Sequence, residues 1–310
     1  MVQTGTTFPA PSFLAERTSS KRGVSNPRVL WLTLPTLAVL VTLFFGGFLF
    51  GILQSFGYFS IISGNHQKIS FDAYRVAFES DDVRVGILLT FRVAFLSTFL
   101  STVIALAISL MISRTKRFQS AMIALIQFNI PIPHVVAATG ILLTFSQSGV
   151  ISRITNQLGI TDGVSNFPVV TNDHFGSGII LSYLWKEIPF LCVLILGALR
   201  GPVTQLDETA KTLGAPYSYR LRRVIIPYIY PAILSGTIIV FAFSFGSYEV
   251  PFILGQPYPS TLSVVAYDFY TNQDLAYRPI AMALATITSI IIGLLVFLYM
   301  KLTQQESRVR

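Results

Sequence analysis

The chain has 310 residues, of which 52% are hydrophobic and only 12% are charged. Soluble domains carry about 25% charged residues, so this composition excludes a disordered or nucleic-acid-binding chain and disfavours a water-soluble enzyme. A mean hydropathy of +0.64 indicates an integral membrane protein. In such a protein the formal net charge of +8 indicates basic cytoplasmic loops. The single cysteine, Cys192, excludes an intrachain disulfide.

Six apolar stretches are long enough to cross a bilayer, which takes ~20 residues in a helix. They predict an all-α membrane protein with six transmembrane helices, because the strands of a membrane barrel are shorter and alternate with period two. The predicted spans cover residues 30–53, 93–112, 121–145, 178–199, 232–252 and 280–300. Residues 1–28 are predicted to be an N-terminal tail and not a secretory signal. The membrane domain is predicted over residues 29–300, and a C-terminal tail over 301–310.

Lys and Arg residues are distributed unequally between the two predicted sides. Fifteen of the 22 fall in the two tails and in the second-to-third and fourth-to-fifth loops, and five fall in the other loops. Because basic loops stay in the cytoplasm, both termini are predicted to be cytoplasmic. Acidic residues concentrate in the outer loops. Avoidance of positive charge explains this pattern, and a surface for a partner or a cationic solute is the alternative.

The loop between the fourth and fifth predicted spans contains a short helix of its own. Thr204 is a candidate N-cap, and Asp207 and Glu208 would then follow in the first turn, where acidic groups suit the helix dipole. Gly214 supplies a stop at the other end. The apolar residues of this helix recur at intervals of four and three, at Leu206, Ala210 and Leu213. Such an apolar edge on a cytoplasmic loop predicts that the helix docks on a partner.

The spacing in this loop resembles the signature of permease subunits of binding-protein-dependent ABC importers. That signature reads E-A-A, three residues, G, nine residues, I-x-L-P. This chain has E-T-A at 208–210, then Gly214, then V-I-I-P at 224–227. The departures, which are conservative in size, are Thr209, Val224 and Ile226. The stretch at 245–255 resembles the fifth-span exit of a permease subgroup that serves polyamines, iron(III), thiamine and aminoethylphosphonate.

The resemblance implies a type I ABC importer permease fold in a bacterial or archaeal plasma membrane. It implies four kinds of partner: a second permease subunit, usually a homologous but different chain; a dimer of ATPase subunits; an extracytoplasmic solute-binding protein; and membrane lipid. It also implies that residues 203–227 form a cytoplasmic coupling loop, called the signature loop hereafter. Its ATPase-coupling residues would be Leu206, Asp207, Glu208, Ala210, Leu213, Gly214 and Pro227.

The chain carries no phosphate-binding motif of the form G-x-x-x-x-G-K-[ST]. The resemblance therefore implies that ATP and Mg bind to the separate ATPase subunit. This chain is expected to be no enzyme itself and to hold no cofactor or metal. Three basic residues follow the short helix of the signature loop, at Arg220, Arg222 and Arg223. They could pair with acidic groups of the ATPase or with lipid phosphates, or they could serve only to retain the loop in the cytoplasm.

Charged and polar residues in the predicted spans are candidates for a solute pathway: His134, Lys186, Glu187, Tyr248 and Glu249. Each charge at the centre of a span costs ~3 kcal/mol, so the fourth span requires neighbouring helices or a wet cavity around Lys186 and Glu187. This pair could contact solute, act as a gate or form an interhelical salt bridge. Glu249 could meet a cationic solute or a partner subunit.

Two prolines predict a break in the third span. Pro131 and Pro133 immediately precede His134, and they would kink or unwind the helix there. Unwound backbone within a membrane normally lines a cavity. His134 is therefore a pathway candidate, with a hydrogen bond between helices as the alternative.

Three classes of function compete for this sequence. The signature favours the permease subunit of an ATP-driven importer that translocates a small solute, with a polyamine-like cation favoured by Glu249 and the acidic outer loops. An ATP-independent six-span carrier or channel is the alternative. An intramembrane enzyme would need an embedded pair such as Ser and His with a nucleophile turn, and the sequence has no G-x-S-x-G.

Overall fold

The computed structural model describes residues 27–58, 69–115, 117–161, 163 and 166–309. Within these ranges the regular structure is helical, and no strand occurs. Six helical segments in the described part are long and apolar enough to cross a membrane. The predicted all-α fold with six spans is thus confirmed. The predicted N-terminal tail at 1–28 lies outside the described residues except for Pro27 and Arg28.

The chain divides after Phe50 into two units. The first unit contains α1 (Pro27–Leu40), a π-helical turn at Val41–Phe45 and the beginning of α2 (Gly46–Ser55). These segments form the first candidate span, Trp31–Ser55.

The second unit contains the remaining helices and the other five candidate spans. In chain order its helices are α3 (Asp72–Glu79), α4 (Asp81–Arg114), α5 (Gln119–Phe128), α6 (His134–Phe145), α7 (Val150–Gln157), α8 (Ser177–Leu199), α9 (Val203–Thr212), α10 (Tyr217–Arg220), α11 (Ile226–Gly246), α12 (Glu249–Leu254), α13 (Leu262–Thr271) and α14 (Arg278–Val309). A π-helical stretch at Leu221–Ile225 joins α10 to α11, so the helix runs without a gap through Tyr217–Gly246.

Helix α8 is the centre of this unit. It packs most extensively against α4 and also contacts α5, α6, α11 and α12. Small residues of α4 allow this close approach, because helices in a membrane pack best where side chains are short. At one point the Cys192 thiol of α8 lies 3.6 Å from the carbonyl oxygen of Ala105 on α4. The two spans are therefore closely packed, and α8 carries the buried polar residues Lys186 and Glu187.

Two predicted spans are not single helices. The third is divided between α5 and α6 by residues 129–133, which confirms the break predicted at Pro131 and Pro133. The fifth was predicted over 232–252, but its helix ends at Gly246 and α12 begins separately at Glu249. The reason lies in Pro251, whose ring would clash with the carbonyl of Ser247 in an unbroken helix.

Candidate functional site

The helix of the signature loop, α9, begins earlier than its sequence suggests. Pro202 occupies the N-cap position, and the Thr204 hydroxyl instead donates a hydrogen bond to the carbonyl oxygen of Leu199 at 3.1 Å. The prediction that Thr204 caps the helix is therefore wrong. As a result, Asp207 and Glu208 lie beyond the first turn rather than within it.

The two sides of α9 have different surroundings. Val203 is buried against the rest of the chain, and Asp207 and Ala210 are half-buried on the same side. Leu206 and Leu213 lie on the neighbouring side with 48% and 82% of their surface exposed. The predicted apolar edge is therefore divided, because Ala210 faces its own chain while the two leucines face outwards. Glu208 is also exposed.

Gly214 ends α9 in the manner that its sequence position predicts. Its φ of +81° is in the left-handed region, which glycine adopts without a steric penalty. The N–H of Gly214 donates to the carbonyl of Lys211, and the N–H of Ala215 donates to that of Ala210, both at 3.0 Å. This pair of bonds is a Schellman motif. A Cβ at this position would have no neighbour within 4 Å, so only the backbone angle disfavours another residue.

An ion pair closes the signature loop. An Nη1 atom of Arg220 lies 3.1 Å from a carboxylate oxygen of Asp207, and it also donates to the backbone carbonyl of Asp207 at 3.2 Å. The Arg220 side chain is only 12% exposed. Its neighbours Arg222 and Arg223 are exposed. Of the three arginines predicted to be available to a partner, Arg220 is thus engaged within its own chain. Pro227, at the end of the signature, lies in the first turn of α11.

The ammonium group of Lys186 is held by the broken third span. It donates to three backbone carbonyls there, those of Asn129 at 2.9 Å, Ile130 at 3.1 Å and Ile132 at 2.6 Å. Pro133 frees one of them, since it has no N–H to donate to the carbonyl of Asn129 four residues back, and the break between α5 and α6 leaves those of Ile130 and Ile132 outside a helix. Lys186 is 5% exposed, and an ammonium has three protons to donate. Its donor capacity is therefore filled.

The next residue on α8, Glu187, approaches His134 at the start of α6. Its carboxylate oxygen lies 3.4 Å from Nε2 of His134. Together with Asn129, Ile130, Ile132 and Lys186, these two residues are called the span-break cluster. Glu187 thus makes a contact between helices, to His134, which is a salt bridge when the imidazole is protonated, and Lys186 is in none of the ion pairs of the described residues.

The span-break cluster borders an open cavity of about 210 Å³. Its lining residues are Ile130, His134, Lys186, Glu187, Phe190, Ile239 and Phe243. The ring of Phe243 on α11 lies 4.5 Å from the His134 ring, centroid to centroid. The cavity therefore combines a carboxylate, an imidazole, aromatic faces and the ammonium of Lys186, whose protons are all donated to backbone carbonyls. Aromatic faces and carboxylates are groups that attract cations.

Tyr248 and Glu249 lie elsewhere, at the start of α12, and neither borders this cavity. The Tyr248 ring packs 4.5 Å from that of Tyr267 and 5.1 Å from that of Phe252. Burial raises the pKa of the Tyr248 hydroxyl, and neighbouring Tyr267 and Asp268 raise it further. Glu249 is exposed. The five residues predicted to share a pathway thus form two separate groups.

Sequence reasoning missed two residues of this site, Asn129 of the span-break cluster and Phe243 of the cavity lining. Asn129 supplies one carbonyl to Lys186, and its side-chain amide donates to the carbonyl of Trp185. Its position two residues before Pro131 was the available signal, because a polar amide next to a helix break can satisfy freed backbone groups. The spacing of Phe243 in the sequence does not distinguish it from Phe241 or Phe245.

A known protein family matches almost the whole chain. The model of a family described as "Binding-protein-dependent transport system inner membrane component" matches residues 13–309. The chain belongs to this family. With its six long apolar helices, it is a multi-pass membrane protein.

Curated relatives of this family member are permease proteins with different named solutes. The chain is 25% identical over 166 residues to the molybdenum transport system permease protein ModB of Mycobacterium tuberculosis, which is 53% of this chain and 59% of the relative. It is 26% identical over 175 residues to the spermidine/putrescine transport system permease protein PotC of Escherichia coli, 56% of this chain and 55% of that one. The matches thus span a little over half the length of these curated relatives.

Solved structures resemble nearly the whole chain. A bacterial ABC transporter involved in the import of the acidic polysaccharide alginate has a TM-score of 0.72 at 21% identity, covering 90% of this chain and 96% of that one. The alginate transporter in complex with an alginate pentasaccharide-bound periplasmic protein gives 0.71 at 22% identity, covering 88% and 93%. At these identities the likeness establishes the fold, that of an ABC importer permease.

Proposed function

We propose that this chain is the transmembrane permease subunit of an ATP-driven importer for a small solute. The observation that carries the proposal is α9 with its C-cap Leu213: Glu208, Leu206 and Leu213 face outwards, and Gly214 terminates the helix. An exposed helix with two large apolar side chains is unfavourable in water unless a partner covers it. The spacing of its residues is that of the family's coupling signature.

The partner at this helix is an ATPase subunit that binds ATP and Mg, since the chain itself carries no phosphate-binding motif. Leu206, Leu213 and Glu208 contact its surface, and Gly214 and Pro227 fix the end of α9 and the start of α11. A second, homologous permease completes the pathway, lipid surrounds both, and an extracytoplasmic binding protein delivers the solute. The basic loops favour a cytoplasmic position for the termini and α9, and the family resemblance favours the plasma membrane of a bacterium or archaeon.

The chemistry of the span-break cluster favours a cationic solute of the polyamine type. All three protons of the Lys186 ammonium are donated to backbone carbonyls, so this group has no donor left for an oxyanion. The Glu187 carboxylate, by contrast, makes one hydrogen-bond contact among the described residues, to His134 at 3.4 Å, and it borders the cavity beside Phe190 and Phe243. A desolvated amine there would gain a carboxylate and aromatic faces.

The test uses the tagged chain expressed with its neighbouring genes. Glu208→Arg reverses the exposed charge of α9, and Gly214→Val forces a β-branched residue into a left-handed backbone. Both variants should lose the copurifying ATPase and the ATP-dependent uptake of radiolabelled spermidine, while Arg200→Gln, an exposed change outside α9, should keep both. Normal uptake without any copurifying ATPase would favour the ATP-independent carrier and overturn the proposal.

A further inference from the structure

We infer that the Asp207–Arg220 ion pair is a clamp that makes α9 and the foot of the fifth span move as one body. This inference rests on the proposed function, in which an ATPase moves α9. It assigns Asp207 and Arg220 as positioning residues, which act on transport through the helices they join. It replaces the expectation that Asp207 contacts the ATPase.

The backbone between the two helices is a sharp turn. Helix α9 ends at Thr212, Gly214 has a φ of +81°, and Pro216 has an extended ψ of 155° before α10 begins at Tyr217. A connection with a glycine at its centre and no helix of its own can bend when one side is pushed. The backbone alone therefore does not oblige the fifth span to follow α9.

The ion pair joins the two helices on either side of this turn. Asp207 belongs to α9, and Arg220 lies thirteen residues later at the end of α10. The Arg220 guanidinium contacts both the carboxylate and the backbone carbonyl of Asp207, at 3.1 and 3.2 Å. Because Arg220 is 12% exposed and Asp207 29% exposed, water screens this pair less than it would a surface pair. The contact to the carbonyl also fixes the main chain of α9 and not only a mobile side chain.

The far side of the clamp is continuous with the membrane. From Tyr217 the helix runs to Gly246 with no gap, so a displacement at Arg220 is delivered along the fifth span. Tyr217 also receives the guanidinium of Arg114 over its ring at 3.3 Å, which ties the same foot to the end of α4. Since α4 packs along α8, movement of α9 would reach the helix that carries Lys186 and Glu187.

The experiment measures the distance between α9 and α11 directly. Spin labels are attached at Gln205→Cys and Tyr230→Cys, both exposed positions, while the native Cys192 is buried and does not compete for label. The complete complex, purified through the tagged chain and placed in lipid nanodiscs, is compared without nucleotide and after trapping with ATP and orthovanadate. Electron–electron resonance gives the distribution of the distance.

The clamp predicts one narrow distribution in both states of the otherwise unmodified chain. In Asp207→Asn and in Arg220→Gln, trapping should broaden the distance distribution or shift it by several ångströms, while the ATPase still copurifies in full amount. In the reversed pair, Asp207→Arg with Arg220→Asp, the distribution should narrow again in part, because the ion pair is restored but the bond to the carbonyl is not. Arg200→Gln, which removes an exposed charge before α9, is the matched control and should change nothing.

Three results would overturn the clamp while leaving the proposed function intact. The first is a label-to-label distance in the chain without clamp mutations that differs between the nucleotide-free and the trapped state. The second is a narrow, unshifted distance distribution in both Asp207→Asn and Arg220→Gln. The third is loss of the ATPase from Asp207→Asn without recovery in the reversed pair. The last would show that Asp207 contacts the ATPase. If no ATP-hydrolysing subunit copurifies with the wild-type chain, the proposed function fails, and the clamp fails with it.

Discussion

The span-break cluster and the signature loop both hold charged residues in a chain that has few of them, and they use those charges in opposite ways. In the cluster, Lys186 is 5% exposed and all its protons are donated within the chain. In the loop, Glu208 and Leu213 are exposed and face away from the chain. The first region thus holds neighbouring segments together and lines a cavity, whereas the second, on the proposed function, is covered by a partner.

The largest expected effect comes from removing the ammonium of the cluster. Lys186→Met deprives three carbonyls of a donor, and among the described hydrogen bonds that of Asn129 alone keeps another, from the N–H of Ile132 at 3.2 Å. Each buried polar group left unpaired costs about 1–3 kcal/mol, so the free energy of unfolding should fall by roughly 4 kcal/mol. Titration with sodium dodecyl sulfate in mixed micelles measures this loss. Lys211→Met, an exposed lysine of α9, is the control. Equal stability of the two variants would show that the cluster does not support the fold.

A smaller effect is expected at Gly214, where the loop should respond through its backbone. A residue with a Cβ in the left-handed region costs roughly 1–2 kcal/mol, and asparagine tolerates that region better than alanine. Gly214→Ala should therefore weaken ATPase copurification about fivefold, the equivalent of ~1 kcal/mol, and Gly214→Asn should weaken it less. Because a Cβ there meets no neighbour, both side chains fit. Equal losses in the two variants would locate the cause in the side chain instead of the backbone angle.

The charge that faces the cavity should affect selectivity more than stability. Glu187→Gln keeps a hydrogen-bonding group beside His134 but removes the negative charge. The KM for spermidine uptake should rise several-fold, while the unfolding free energy changes little because the contact to His134 is long, at 3.4 Å. Uptake of molybdate, an anion, is measured in the same assay for comparison, and its KM should not rise in this variant. An unchanged KM for spermidine would remove Glu187 from the pathway.

The smallest effect is expected at Glu249. This carboxylate is exposed at the start of α12, where solvent screens it, and it does not border the cavity. Glu249→Gln should change the KM for spermidine less than Glu187→Gln does, in the same uptake assay. A larger effect at Glu249 would move the solute contact from the cavity to the end of the fifth span.

The sequence was sufficient for features that depend on neighbours along the chain. Hydropathy predicted the number of spans, Pro131 and Pro133 predicted the break, and Gly214 predicted the end of α9. Contacts across the fold could not be predicted in the same way. The partners of Lys186 are backbone carbonyls, which every residue has and which therefore carry no signature in the sequence.

Two further cases show why local rules were insufficient. Asp207 and Arg220 are thirteen residues apart, and only the turn between α9 and α10 brings them together. Thr204 was expected to cap α9, but its hydroxyl had a competing acceptor in the carbonyl of Leu199. In the first case the fold brings distant residues together, and in the second two local acceptors compete for one hydroxyl.

The most direct test of the contrast between the two regions is photo-crosslinking at Leu213, the most exposed leucine of α9. A benzophenone amino acid is placed there and, as a control, at Leu143, an exposed apolar position in the third span. After irradiation of intact cells, we expect the chain labelled at Leu213 to become covalently joined to a protein that binds ATP, and the chain labelled at Leu143 not to. If Leu213 yields no crosslink to an ATP-binding protein, the signature loop is not a docking site.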